Sequence, residues 1–184
     1  MGRLRVEPCA IGFSGRIGSG KTTVSEAVAQ ALRWPLASFR DFVRSVASSR
    51  GFNANAREIL QEIGKSLISK VWPRFCRDVL AAAGWQPGSG IVVDGIRHVE
   101  AVQNLSEIVA PLPFFLVHVA IEEPVRSKRL FLRDGAPAQT EVESHSTEAA
   151  VTDILPQGAD VIVDAAHPID RIVAQVIWYL QTRE

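Results

Sequence analysis

Short runs of consecutive apolar residues alternate along the chain with segments whose apolar residues recur every three to four positions, and the two periods predict different elements. Cys9-Ala10-Ile11-Gly12-Phe13 is a run of the first kind, the pattern of a strand buried on both faces. From Lys21 to Arg33, Val24, Ala27, Val28 and Ala31 share one face of a helix. Pro35 to Phe39 predicts a short second strand. Asp41 to Ser49 predicts a helix with Phe42, Val43 and Val46 on its apolar side, ended by Gly51. Asn55 and Glu58 have capping-box spacing ahead of a helix that turns Ile59, Leu60, Ile63 and Leu67 inward. Trp72 to Ala83 forms another helix after a break at Pro73. Gly90 to Asp94 and Phe114 to Ile121 are the third and fourth strands. Pro124 opens a helix running to Arg133, behind Glu122 and Glu123, whose charges suit the helix dipole. Residues 134–147, with Gly135, Pro137, Thr140 and Ser146, predict a polar loop. Asp160 to Val163 is a fifth strand and Ile169 to Leu180 a last helix.

Strands separated by helices build a parallel sheet with right-handed crossovers, so the predicted fold class is α/β. With no internal repeat or low-complexity linker, residues 1–184 are expected to form one domain. A hydrophobic share of 47% and a charged share of 22% are those of a globular chain. Lys and Arg together number 20, as do Asp and Glu, which leaves no bulk positive field for duplex nucleic acid or an anionic membrane. Anion binding therefore has to be local. Of the basic residues 16 are Arg, which suits forked recognition of phosphate, although a compositional bias toward Arg would look the same. Cys9 and Cys76 stand far apart behind an N-terminus with no apolar leader, so no disulfide framework is expected. The longest apolar stretch, Val109 to Ile121, is interrupted by two prolines and His118 and is too short to cross a bilayer. A cytoplasmic protein is the expectation.

Gly15-Arg16-Ile17-Gly18-Ser19-Gly20-Lys21-Thr22 is a full G-x-x-x-x-G-K-T between a predicted strand and a predicted helix. Its glycines let the backbone curl so that successive N–H groups face one concavity, and the adjoining helix adds its positive N-terminal end. Gly15, Gly18, Ser19, Gly20, Lys21, Thr22 and Thr23 are thus the candidate nucleotide-binding residues. Lys21 supplies a charge to the outer phosphates, and Thr22 a hydroxyl for Mg²⁺. Val92-Val93-Asp94-Gly95-Ile96-Arg97 puts an acid at the carboxyl end of a buried strand, where ligands of open parallel sheets sit. Asp94 is the second candidate for holding Mg²⁺, through a bound water; a turn at Asp-Gly is its competing role.

These motifs together resemble the P-loop kinases of nucleoside monophosphates and their relatives, over about residues 9–182. Thr22-Thr23-Val24-Ser25-Glu26 looks like the start of their first helix. Phe39-Arg40-Asp41-Phe42-Val43-Arg44 is similar to their Gly-Asp-x-x-Arg segment, and Asp94-Gly95-Ile96-Arg97 to their Asp-Gly-Phe-Pro-Arg, one residue shorter. Arg126, Arg129 and Arg133 look like their lid-flanking arginines, and residues 159–163 like their last strand. The resemblance implies a five-stranded sheet of order 2-3-1-4-5, an acceptor-binding helical region at about 39–84 and a lid at about 134–147. It also implies ATP as donor, Mg²⁺ as cofactor, Asp41, Arg44 and Arg97 around the acceptor, and Arg97, Arg129 and Arg133 acting with Lys21 in catalysis. The lid is short and lacks a Cys cluster, and the proline before Arg97 is missing, so adenylate is not singled out as acceptor. Dephospho-coenzyme A kinases share the look of the phosphate loop but not the stretch after the third strand.

Arg57, Gln61 and Lys65 share one helix face suited to an acceptor, or to solvent. His98, His118, His145 and His167 show no metal-ligand spacing, and the tryptophans read as packing. Glu122 stands four residues before Arg126, which makes Arg126 the member of its stripe most easily explained as a solvated pair. The expected function is ATP-dependent transfer of the γ-phosphoryl group to a small phosphate acceptor, a nucleoside or deoxynucleoside monophosphate. The rivals are a kinase of another metabolite and a nucleotide-dependent switch that hydrolyses ATP slowly. Acceptor identity and oligomeric state are not encoded in any motif found.

Overall fold

Apolar side chains of the middle strands point alternately to opposite faces of a sheet, and a helical layer covers each face. The computed structural model describes residues 6–134 and 150–183. Five strands, β1 (Ala10–Ser14), β2 (Leu36–Ser38), β3 (Ile91–Ile96), β4 (Phe114–Ala120) and β5 (Val161–Asp164), pair in the order β2-β3-β1-β4-β5. Every pairing is parallel, as expected from sequence.

On one face, Ile11, Phe13, Val92, Val117 and Val163 pack with Val24 and Val28 of α1 (Lys21–Leu32) and with Ile172 and Val176 of the C-terminal helix. On the other, Ala10, Ile91, Val93 and Leu116 meet α2 (Phe39–Ser49), α4 (Trp72–Ala82) and α5 (Val99–Val109). Between α2 and α4 runs α3 (Arg57–Lys70), and β4 leads into α6 (Glu123–Asp134). A π-helical turn, Ala150–Ile154, precedes β5, and the C-terminal helix is α7 (Ile169–Thr182).

Several elements differ from the sequence expectation. α5 carries no expected element: its buried positions Ala101, Leu105 and Val109 recur every four residues, but its N-cap is His98, without a capping bond, and its end merges into the apolar run leading to β4. α1 buries Val24, Ser25, Val28 and Ala29, while Ala31 is exposed. α2 starts two residues early, at Phe39, because the Asp41 N–H donates to Ser38 Oγ at 3.2 Å. The expected capping box at Asn55 does not form. Asn53 Oδ1 accepts from the Asn55 N–H at 2.9 Å in a turn, and Ala56 becomes an N-cap without a side-chain bond. The lid expected at 134–147 lies, beyond Asp134, outside the described residues.

Candidate functional site

β1 lies at the centre of the sheet, between β3 and β4, so the segment after Ser14 sits where the carboxyl ends of several strands converge. That segment is the glycine loop. Gly18 and Gly20 have φ of 84° and 87°, a region that side-chain-bearing residues rarely adopt. Gly20 is the N-cap of α1 and provides no side-chain cap, so the first N–H groups of α1 are left for an anion. Thr23 is exposed and Lys21 half-buried on that first turn.

Asp94 reaches this turn through a bulge. β1 pairs Phe13 with Asp94 and then Ser14 with Ile96, skipping Gly95, whose φ is 88°. Alternation along β3 directs Asp94 to the α1 face, where Thr22 Oγ1 donates to Asp94 Oδ2 at 2.9 Å. Asp94 is 4% exposed, and its Oδ1 is buried without a hydrogen-bond partner, as is Ser19 Oγ in the loop. A buried carboxylate oxygen left unpaired costs ~1–3 kcal/mol or more. A hydroxyl and a carboxylate beside a phosphate loop, with one oxygen unspent, fit a hard divalent cation and its waters. Thr22 and Asp94 are the residues that would hold Mg²⁺.

Beneath the loop, Ser14 Oγ lies 3.0 Å from His118 Nδ1 of β4, both buried. Burial pushes the His118 pKa below its ordinary value. Beside the loop runs α6. Arg126 is 3% exposed and pairs with Glu123 at 2.8 Å, not with Glu122 as its spacing suggested. Arg129 spans two segments, its Nη1 donating to the Ser19 carbonyl at 3.2 Å and its Nη2 to the Ala165 carbonyl, past β5, at 2.9 Å. Arg133, one turn on, is exposed.

The other side of the crevice is built by β2 and β3. Ser38 pairs with Asp94, so α2 emerges beside the acid, and Arg97 stands directly after β3. On α2, Asp41 Oδ1 lies 3.9 Å from Arg40 Nε and 4.0 Å from Arg44 Nη1, while Arg44 Nε is buried without a hydrogen-bond partner. Next to Arg97, the His98 ring lies 5.2 Å from that of Trp72 at the start of α4, and Trp72 in turn contacts Phe75. Burial chiefly keeps the His98 pKa low; Glu100 opposes it and Arg97 adds to it. Gln61 is exposed on α3, which packs on α2 and α4. Sequence reasoning missed Glu123, His118 and the Trp72–His98 pair. A histidine inside the apolar run of β4 was the one local signal for them.

A family model described as an AAA domain, AAA_18, matches residues 11–151. The chain belongs to that family. Among curated relatives of this AAA_18 chain is a UPF0200 protein of Pyrobaculum aerophilum, 28% identical over 120 residues, covering 65% of the chain and 63% of the relative. A UPF0200 protein of Aeropyrum pernix is 28% identical over 130 residues, 67% of the chain and 64% of the relative. The chain thus spans somewhat under two thirds of the length of the curated relatives it matches. Solved structures of similar fold include a gluconokinase from Sinorhizobium meliloti, at a TM-score of 0.61 and 22% identity over 96% of this chain and 94% of that one. Shikimate kinase from Aquifex aeolicus superimposes with a TM-score of 0.63 at 18% identity, over 94% and 96% of the two chains. The APS kinase of Mycobacterium tuberculosis, solved with AMPPNP and APS, gives 0.62 at 17% identity over 97% and 100%. The AAA_18 chain therefore has the P-loop kinase fold, and its structural neighbours include kinases of different small metabolites. Among the described residues no helix is long and apolar enough to cross a membrane.

Proposed function

We propose that the protein is an ATP-dependent phosphotransferase that moves the γ-phosphoryl group to a small acceptor, a nucleoside or deoxynucleoside monophosphate, and that residues 1–184 act as one kinase domain. The observation that carries this reading is the Thr22–Asp94 pair beside the phosphate loop, with Asp94 buried and its Oδ1 without a hydrogen-bond partner. The N–H groups of the loop and of the first turn of α1 bind the donor phosphates, with Lys21 neutralising their outer oxygens. Mg²⁺, when bound at Thr22 and Asp94, withdraws negative charge from the phosphate oxygens. Arg97 and Arg44 orient the acceptor phosphate, with Asp41 fixing the approach of Arg44. Arg129 and Arg133 add positive charge from the α6 side as the phosphoryl group transfers. Residues 39–84, with Gln61 exposed on α3, form the acceptor region, and residues 134–147 the lid.

A monophosphate acceptor is already anionic at neutral pH, so no strong base is needed, and positioning with charge neutralisation carries the reaction. The half-buried Trp72–His98 pair beside Arg97 favours an acceptor that carries a planar ring. The second reading is a hydroxyl acceptor, as the names of the gluconokinase and shikimate kinase neighbours suggest. It is supported by the same Asp94 Oδ1, a buried carboxylate oxygen able to take a hydroxyl proton.

ADP release measured with each ribo- and deoxyribonucleoside monophosphate, dephospho-coenzyme A and simple hydroxyl metabolites tests both. A monophosphate should raise ADP release about tenfold or more over ATP alone. Stimulation confined to hydroxyl metabolites would replace the first reading by the second, and no stimulation by any acceptor would remove both.

A further inference from the structure

α6 lies across the outside of the phosphate loop and touches it at four consecutive residues. Glu123 Oε2 accepts from Arg16 Nη1 at 2.7 Å, and Arg126 Nη1 donates to the Ile17 carbonyl at 3.4 Å. Leu130 Cδ2 stands 2.9 Å from where a Cβ on Gly18 would be, and Arg129 Nη1 donates to the Ser19 carbonyl at 3.2 Å. One carboxylate joins the first two of these contacts. Glu123 Oε1 accepts from Arg126 Nη2 at 2.8 Å and from Ser127 Oγ at 2.9 Å, and Oε2 also takes Arg126 Nε at 3.0 Å. Although 51% exposed, the Glu123 carboxyl is held down to about 2, first by its bonds from Arg126 and then by those from Ser127 and Arg16. It stays anionic throughout the neutral range.

The loop has a reason to need such a clamp. Three of its residues are glycine, which have the most backbone freedom to lose on ordering. A loop already held in its curve loses less on meeting phosphate and binds it more tightly.

We propose that Glu123 is a positioning residue for nucleotide binding: acting through Arg16 and Arg126, it holds residues 16–19, closed by the Ser19 N–H donating to the Arg16 carbonyl at 3.1 Å, in the curve that presents the N–H groups at the start of α1 to the phosphates. This rests on the reading of the loop as a nucleotide site. Simple electrostatics gives the opposite sign. An anion that merely sat beside a phosphate site would repel the ligand, and neutralising it would tighten binding.

The test is calorimetric titration of the wild type, Glu123→Gln, Arg16→Ala and the double variant with Mg·ATP and with Mg·pyrophosphate, alongside thermal unfolding without ligand. Arg16→Ala leaves the Glu123–Arg126 pair intact, so it separates loop positioning from folding. Both single variants should bind both probes about tenfold more weakly. The double variant should lose less than the product of the two single losses, because the residues act as one contact. Equal or tighter binding by Glu123→Gln, or multiplicative losses in the double variant, overturns the positioning role alone. Failure of the wild type to bind either probe overturns the nucleotide reading, and the positioning role with it.

Discussion

Replacing Asp94 by Asn exchanges one oxygen for an NH₂ group and removes a negative charge at a position that is 4% exposed. In the wild type, Oδ2 accepts the Thr22 hydroxyl at 2.9 Å and Oδ1 has no partner. A hydrogen bond to a charged group contributes ~1.5–3 kcal/mol, a neutral one ~0.5–1.5 kcal/mol, and a buried unpaired polar atom costs ~1–3 kcal/mol, more when charged. The Asn variant keeps a neutral bond to Thr22 and sheds the cost of burying a charged oxygen that has no hydrogen-bond partner. Its metal-free stability should therefore equal that of the wild type or exceed it by up to ~1 kcal/mol, a Tm change of up to ~2–4 °C for a chain of this size. Function should move the other way. Transfer should fall on the order of 10²-fold, because the carboxylate proposed to hold Mg²⁺ is gone. A ligand at 100 times its Kd stabilises by ~2.7 kcal/mol, and much of that gain from Mg·ATP should vanish in the variant. Calorimetric melts with and without Mg·ATP, paired with turnover, read both quantities. A variant that loses more than ~1 kcal/mol without ligand, yet turns over within a few-fold of wild type, would show that Asp94 is a structural acid and refute the assignment.

Lys21→Ala should lower transfer on the order of 10²-fold, since the role proposed for the ammonium is to neutralise charge that develops during reaction; turnover near wild type would contradict this. Gly18→Ala places a Cβ 2.9 Å from Leu130 Cδ2 at a φ of 84°; it should cost ~1–3 kcal/mol in urea unfolding and weaken ATP binding, and a variant as stable as wild type would show that the loop does not need its glycine there. Arg97→Lys should raise the acceptor KM and leave ATP affinity unchanged, because an ammonium cannot copy the guanidinium fork; loss of ATP affinity with an unchanged acceptor KM would place Arg97 on the donor side. Burial lowers the His118 pKa in the folded state, so the native chain binds fewer protons than the unfolded one below the ordinary histidine value of about 6.5. Stability should be full above that pH and decline as pH falls from it, and His118→Asn should flatten the decline; an unaltered profile would remove His118 as its source.

The sheet and the phosphate loop were legible because their signals are local. Consecutive apolar residues mark β1, β3 and β4 as buried on both faces, and a Gly-Lys-Thr sequence between strand and helix specifies the curl and its charge together. The Asp94 alternatives could not be separated from sequence, since the bulge at Gly95 that directs the acid to Thr22 exists only when β1 and β3 pair. Arg126 shows the limit most clearly. Spacing along α6 suggests an exposed pair with Glu122, but packing of the helix against the loop leaves Arg126 at 3% exposure and selects Glu123, three residues away, which also reaches Arg16, 107 residues back. Ser14 with His118 and Trp72 with His98 are likewise partners across the fold; the histidine inside the apolar run of β4 hints at the first, and nothing local announces the second.

The most direct test is the fate of label placed on the γ-phosphoryl group of ATP, tracked with Mg²⁺ and each candidate acceptor in wild type and Lys21→Ala. Label should appear in a phosphorylated acceptor in amounts equal to the ADP formed, with a nucleoside monophosphate as the best acceptor, and on the order of 10²-fold more slowly in Lys21→Ala. Label released only as inorganic phosphate, at a rate indifferent to every acceptor, would contradict phosphotransfer and leave a nucleotide-hydrolysing switch in its place.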